Sequence, residues 1–343
     1  MKKEVIVLVA ICLLTFIGLI YVLFFGNISL FKCGDRTSYN ACSELKPYFC
    51  ESGKLIEKAS VCGCPDLLNA SEESCISNFI GGEKDISLNY VLRGKKGVID
   101  FVAYENLSNY LSKLPRYIDS SENENPSLFD FKIKSLDEKQ QRELLLPLVI
   151  GIQNLANSKE DQARIAISLV QNIPFGESNK TARFGNLPLP YQRYPYEVLY
   201  DNEGVCGEKS ELLVFLLREI GYDSAFMHYF LENHEAVGIK CPVWKSFNNT
   251  GYCFIETTGP AIISDYKTEY VVFGKLVSQP EIIPFEGELS FGNGFYEFRD
   301  ATALNNIREA IRKSGEINFI QHIKFQNLKE KYGLKVFNRT YTF

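Results

Sequence analysis

Clustered positive charge is the first thing missing from this chain of 343 residues. Its 37 Lys and Arg are spread among 42 Asp and Glu, and the net charge is -5, which excludes an extended nucleic-acid surface. Internal repeats and low-complexity tracts are missing too, so the chain is no solenoid or linker array. No calcium-binding loop is present. Histidine is scarce, with three in the whole chain, so an imidazole base can come only from His228, His234 or His322. His228 alternates with Phe226 and Phe230 and reads as an ordinary strand residue. His322, in FIQHIKF, reads as a helix-face residue.

Apolar residues are plentiful. They make up 45% of the chain and aromatics 13%, enough for a sizeable core in two or three compact units. From Val5 to Phe25 no charge occurs over twenty-one residues. As a helix that run spans about 30 Å, the thickness of a bilayer core. Lys2 and Lys3 precede it, which by the positive-inside rule puts the N-terminus in the cytoplasm and the rest outside. The run ends in Leu23, Phe24 and Phe25, a poor site for signal-peptide cleavage. Cys12 follows Ile11, a poor site for lipid attachment. An uncleaved single-pass anchor in the cell membrane over residues 1–26 is therefore expected, with residues 4–25 in contact with lipid.

Six cysteines follow, Cys33, Cys42, Cys50, Cys62, Cys64 and Cys75. Their spacing gives no two C-x-x-C pairs and no histidine lies among them, which argues against zinc. A disulfide-knit module over residues 27–80, in an oxidising compartment, fits better. Six cysteines permit fifteen pairings, and spacing does not choose among them. N-x-S/T sites at Asn27, Asn69, Asn106, Asn179, Asn248 and Asn338 agree with an exterior location.

Residues 81–134 read as a β-hairpin, ISLNYVLRGKKGVIDFVAY, and a polar linker between Pro115 and Pro126. Helical period resumes at Ser135, which with Glu138 makes a capping box, and Pro147 interrupts the run. A second helix opens at Ser158 and closes before Pro174. A long segment rich in Gly, Pro and Tyr then leads into EGVCGEKSELLVFLLREIGY, an apolar helix from Cys206 to Ile220 with Gly221 as its cap. Strands follow at SAFMHYF, EAVGIKC and GYCFIETT, closing a core assigned to residues 135–260. Residues 261–343 form an extension with strands at YVVFGKLV and GFYEFRDA and helices near Ala301–Lys313 and Ile317–Tyr332.

Cys206 lies between Gly204 and Gly207 at the start of a buried helix. There the macrodipole and free N–H groups favour an anionic sulfur. His234 enters one strand and Glu256 ends the next. A thiol, an imidazole and a carboxylate are a sufficient set for acyl transfer. If Cys241 and Cys253 pair, Cys206 is the one thiol left free beyond the anchor. That pairing raises a difficulty. With Cys241 facing Cys253 in a regular antiparallel ladder, Glu256 faces Gly238, roughly 13 Å along the strand from His234. A bulge, a less direct closure by the cysteines, or the absence of the disulfide would each resolve it. A resolving cysteine near Cys206 would instead make it a redox thiol.

The stretch from Gln162 to Thr258 resembles the transglutaminase-like superfamily, the papain-like thiol fold. VQNIPF, YPYEVL, GVCGEKSELLVFLLREIGYDSAF, NHEAVGI and FIETT carry the likeness. Similar membrane-anchored proteins with a cysteine-rich N-terminal module occur in archaea. The resemblance implies an α+β fold with a buried helix packed on an antiparallel sheet. It implies Cys206 as nucleophile, His234 as base and Glu256 as orienting acid, where the family usually has Asp. Tyr194, Tyr196 and Gln171 are candidates for a side-chain oxyanion donor. The expected activity is that of an extracytoplasmic cysteine peptidase or amidase acting on peptide or isopeptide bonds of cell-surface proteins, without cofactor or metal. The alternative is a non-catalytic binding module at the cell surface.

Overall fold

The computed structural model describes residues 8, 11–18, 32–118, 125–267, 269–270 and 274–334. The chain is mixed α+β, and contacts divide it into two units. The first comprises Met1–Ile76 with Gln153–Asn157, the second Ser77–Ile152 with Ser158–Phe343.

The expected membrane-spanning helix is not found. Among the described residues no helix is long and apolar enough to cross a membrane. Of the uncharged run, the described residues, 8 and 11–18, are helical. Residues 5–7, 9–10 and 19–25, with the sites at Asn27 and Asn338, lie outside the described residues. The α+β class with a transmembrane helix is corrected to mixed α+β with small sheets, the largest among the described residues having four strands.

In the first unit two short antiparallel pairs, β1 (Tyr48–Glu51) with β2 (Lys54–Glu57) and β3 (Asn69–Ser71) with β4 (Ser74–Ile76), flank a single helical turn, α1 (Ala59–Cys62). Disulfides join Cys33 to Cys50, Cys42 to Cys62 and Cys64 to Cys75. The Asn154 side chain bonds both the N–H and the carbonyl of Leu55.

In the second unit a long hairpin pairs β5 (Glu83–Leu92) with β6 (Lys95–Tyr104). Its turn is Arg93–Gly94, both at positive φ, and Lys95 and Lys96 begin β6. Ile86, Leu88, Ile99, Phe101 and Ala103 alternate onto its buried face. Then come α2 (Glu105–Lys113), α3 (Leu128–Leu136), α4 (Lys139–Leu155) and α5 (Lys159–Asn172). Ser135 and Glu138 do not form a capping box. Ser135 lies inside α3 and donates to Glu211, while Ser127 and Asp130 cap α3 reciprocally one helix earlier. Helix α4 runs through Pro147.

A small hairpin, β7 (Thr181–Phe184) with β8 (Leu187–Pro190), precedes α6 (Pro195–Asp201) and α7 (Cys206–Ile220). The main sheet is antiparallel, in the order β11 (Tyr252–Ile255), β10 (His234–Lys240), β9 (Ser224–Tyr229), β14 (Glu281–Phe285). Helix α7 is buried from Glu208 to Leu217, and Leu212–Leu217 are fully enclosed. Gly221 caps it at φ 109°.

Strand β14 is absent from the sequence reading because Pro284 interrupts its apolar run, yet β14 is an edge strand, where proline is tolerated. YVVFGKLV yields a minimal pair, β12 (Glu269–Tyr270) with β13 (Gly274–Lys275), and its residues 271–273 lie outside the described ones. GFYEFRDA is not a strand. Helix α8 (Glu297–Ser314) starts inside it, with Glu297 and Asp300 in the first turn where acids are favoured. Helix α9 (Phe319–Tyr332) follows.

Candidate active site

The first turns of α7 are polar, yet Glu208, Lys209, Ser210 and Glu211 are all buried. Burial of that kind costs free energy unless each group finds a partner. Each does. Glu208 accepts from the Val205 N–H at 3.0 Å and the Arg193 N–H at 2.7 Å, and pairs with the Arg193 guanidinium. Lys209 donates to the Ile173 carbonyl at 2.6 Å. The Ser210 hydroxyl lies 3.1 Å from that of Thr257. Glu211 takes Lys132, Ser135 and Gln192. The helix start is thus fixed from four directions, and Cys206 is its first residue.

Cys206 is a partly exposed free thiol; Cys12 is the other free thiol among the described residues. Cys241 and Cys253 are joined to each other. The resolving cysteine that a redox thiol needs is therefore not supplied by that pair.

The disulfide also resolves the register. Cys253 faces Ile239 rather than Cys241, and Cys241 donates its N–H to Gly251. The bridge runs diagonally across the ladder. Pairing continues through Val237 with Ile255 and stops. One step further Glu256 falls beside Ala236, two residues from His234 rather than four, or roughly 7 Å along the strand. A glutamate arm covers that gap. His234 Nε2 lies 3.0 Å from Glu256 Oε2, and both side chains are 1% exposed.

The other carboxylate oxygen is held as firmly. Glu256 Oε1 accepts from the Thr257 N–H at 3.0 Å, the Thr258 N–H at 2.9 Å and the Thr258 hydroxyl at 2.7 Å. Gln171 donates to the carbonyls of Glu256 and Ala261. With Nε2 bonded to Glu256, Cys206 is the imidazole's other hydrogen-bond partner. Burial pulls the His234 pKa down, but hydrogen bonds to Cys206 and Glu256, with their charges, outweigh it and raise it to about 9. The imidazole therefore holds its proton at neutral pH. Thr257 closes the cluster by donating to the Cys206 carbonyl at 3.4 Å.

Gly207 is needed for close approach: a Cβ there would lie 2.9 Å from Glu235 Oε2. Glu235 pairs with Lys132 at 2.7 Å and lies 3.3 Å from His228 Nδ1. Burial pushes the Glu235 carboxyl up, but Lys132 and His228 overcome it and hold the pKa at about 2.

In comparisons with protein-family models, curated proteins and solved structures, nothing matches this chain.

The structure brings Cys206, His234 and Glu256 together. Of the three candidate oxyanion donors, two are committed elsewhere. Gln171 braces the Glu256 backbone, and the Tyr196 hydroxyl accepts from the Tyr104 N–H at 2.6 Å. Tyr194 is buried against the Arg116 guanidinium, 4.4 Å from its ring, and burial is the main cause that raises its pKa to about 12. Sequence reasoning missed Arg193, which is 3% exposed and pairs with Asp201, Glu203 and Glu208. Nothing in YQRYPYEVL marks it. Thr257 and Thr258 carried a signal: a carboxylate followed by two residues with free N–H groups can cap its own chain, as turn-forming side chains do.

Proposed function

We propose that this chain is a thiol enzyme that transfers acyl groups from amide bonds, a cysteine peptidase or amidase in chemistry and a distant relation of the transglutaminase-like superfamily. The observation that carries the reading is the buried imidazole of His234, hydrogen-bonded to Glu256 on one side and Cys206 on the other. The Cys206 sulfur attacks the carbonyl carbon of a peptide or isopeptide bond. A C–S bond forms as the C–N bond breaks, and the imidazolium proton passes to the leaving amine. Water then attacks the thioester. Its proton goes to His234, a C–O bond forms, the C–S bond breaks, and the thiolate–imidazolium pair is restored. Glu256 holds the ring and balances its charge throughout. Backbone N–H groups at the start of α7 would receive the developing oxyanion. Hydrolysis is favoured over crosslinking. Four disulfides support an oxidising, extracytoplasmic setting with peptides or proteins as substrates.

The test is iodoacetamide labelling of Cys206 against pH, beside His234→Ala. Labelling that persists well below the free-thiol range and weakens in the variant is the expected result. Labelling that follows an ordinary thiol and ignores His234 would leave a binding module with no chemistry.

A further inference from the structure

The β7–β8 hairpin stands apart from the main sheet. It is a two-stranded ribbon whose residues are exposed or half-exposed, with Phe184 and Leu187 beside its turn. The turn is Gly185–Asn186, and Gly185 takes the positive φ, 57°, that a two-residue hairpin turn requires.

The register decides which backbone groups face outward. Thr181 pairs with Pro190, Ala182 with Leu189, Arg183 with Pro188 and Phe184 with Leu187. In an antiparallel ladder hydrogen-bonded pairs alternate with pairs whose N–H and C=O groups point away. Proline has no N–H, so Pro188 and Pro190 cannot occupy the bonded pairs. The ladder bonds fall on Leu187 and Leu189, with Phe184 and Ala182 as their partners. Thr181 and Arg183 then turn both N–H and C=O outward. The two edges of the ribbon differ in consequence. The β8 edge offers no donor at Pro188 or Pro190 and is closed to strand pairing, as proline closes edges elsewhere. The β7 edge offers donor and acceptor together.

Both feet of the hairpin stand at the start of α7. Phe175 bridges Gly204 in parallel, the Gly176 N–H donates to the Gly204 carbonyl at 3.3 Å, and the Gly204 N–H donates to Pro174 at 3.2 Å. At the other foot the Arg193 N–H donates to Glu208 at 2.7 Å, and its guanidinium donates to the Gly176 carbonyl at 3.1 Å. Gly204 is two residues before Cys206. A strand laid along β7 and continued past Thr181 runs down to that helix start.

We propose that the open edge of β7 takes the substrate as an added strand, through main-chain bonds to Thr181 and Arg183, and leads it to Cys206. This rests on the acyl-transfer reading and deepens it. The substrate class is extended polypeptide, recognised by its backbone rather than by one side chain.

The test uses the full chain and two esters: acetylglycine p-nitrophenyl ester, and the same ester carrying four valines before the glycine. The valine arm should raise the second-order rate of Cys206 acylation at least about tenfold, below what the four main-chain hydrogen bonds open at Thr181 and Arg183 supply together. Arg183→Pro should abolish that gain and leave the short ester and iodoacetamide labelling unchanged. The new proline would sit in a pair without ladder bonds, as Pro188 does, so the hairpin is kept. Pro188→Thr, on the closed edge, should leave the gain intact. In the unaltered protein, replacing successive amides of the arm by esters should lower the gain at every second position. Equal rates for the two esters, a gain that survives Arg183→Pro, or a loss without alternation would overturn the inference while leaving the thiol enzyme standing. No acylation by either ester would sink the enzyme and the inference with it.

Discussion

Glu256 is both further from His234 and better anchored than a simple triad requires. Its register leaves a gap of two residues, which the longer arm of glutamate spans. Its Oε1 is fixed by three donors before Oε2 reaches the imidazole. A carboxylate so held is a poor proton acceptor but a strong orienting charge. Glu256→Gln keeps the shape and loses the charge. It should cut acylation roughly 100-fold or more, within the range known for orienting carboxylates, and lower the His234 pKa from about 9. The paired measurements are the acyl burst and an imidazole titration by NMR. An unchanged titration would remove Glu256 from its role. The same raised pKa fixes the sign of a pH effect. A group whose pKa is higher folded than unfolded adds stability that is complete below its ordinary value, 6.5, and is lost as pH rises through about 9. The urea midpoint of the wild type should therefore fall across that window relative to His234→Gln. Peptide acylation should fall there too, because the leaving amine loses its proton donor.

Helix α7 was legible as a buried element from its apolar run and its glycine cap, and the cysteine at its start from the flanking glycines. Its polar first turns were not. They depend on Lys132, Gln192, Arg193 and Thr257, which reach it from three other segments, and such long-range pairing leaves no mark on local periodicity. The same holds for the disulfide. Both cysteines could be read, but their diagonal closure follows from where the β10–β11 ladder starts, and that offset turned an apparent obstacle into the contact between His234 and Glu256. Helix α3 was missed because its capping signal, Ser127 with Asp130, directly follows the polar stretch that ends at Pro126, and helical period was read only from Ser135. It brings Lys132, which is 3% exposed, to Glu211 at 2.8 Å and to Glu235 at 2.7 Å. Lys132→Met would leave the buried carboxylate of Glu211 and the part-buried one of Glu235 without their cation. Such half-removed buried pairs cost about 3–5 kcal/mol, and the denaturation midpoint should fall accordingly. A loss under 1 kcal/mol would mean that Ser135, Gln192 and His228 suffice.

The two units hold themselves together by different means. The second buries a conventional core of Leu, Ile, Val and Phe drawn from α4, α5, α7 and the main sheet. In the first, the described buried apolar residues besides cystine are Tyr48, Leu55 and Ala59. So few cannot offset the conformational entropy of ordering the segment, and the cross-links must supply the difference by restricting the unfolded chain. The loops they close have sequence separations of 17, 20 and 11 residues. Closures of that size contribute about 3 kcal/mol each in the chain-entropy account. The cysteine spacing announced this module, but its pairing needed the fold. Reductant in native buffer should therefore act unequally. Amides of β1, β2, β3 and β4 should lose hydrogen-exchange protection, while those of α5 and the body of α7 keep theirs, since no disulfide touches those helices. The measurement is exchange followed by mass spectrometry at rising dithiothreitol, read peptide by peptide. Protection lost together in both units would mean that the second depends on cross-links and that its apolar core is not sufficient. Protection kept in the first would mean that its order does not come from its cystines.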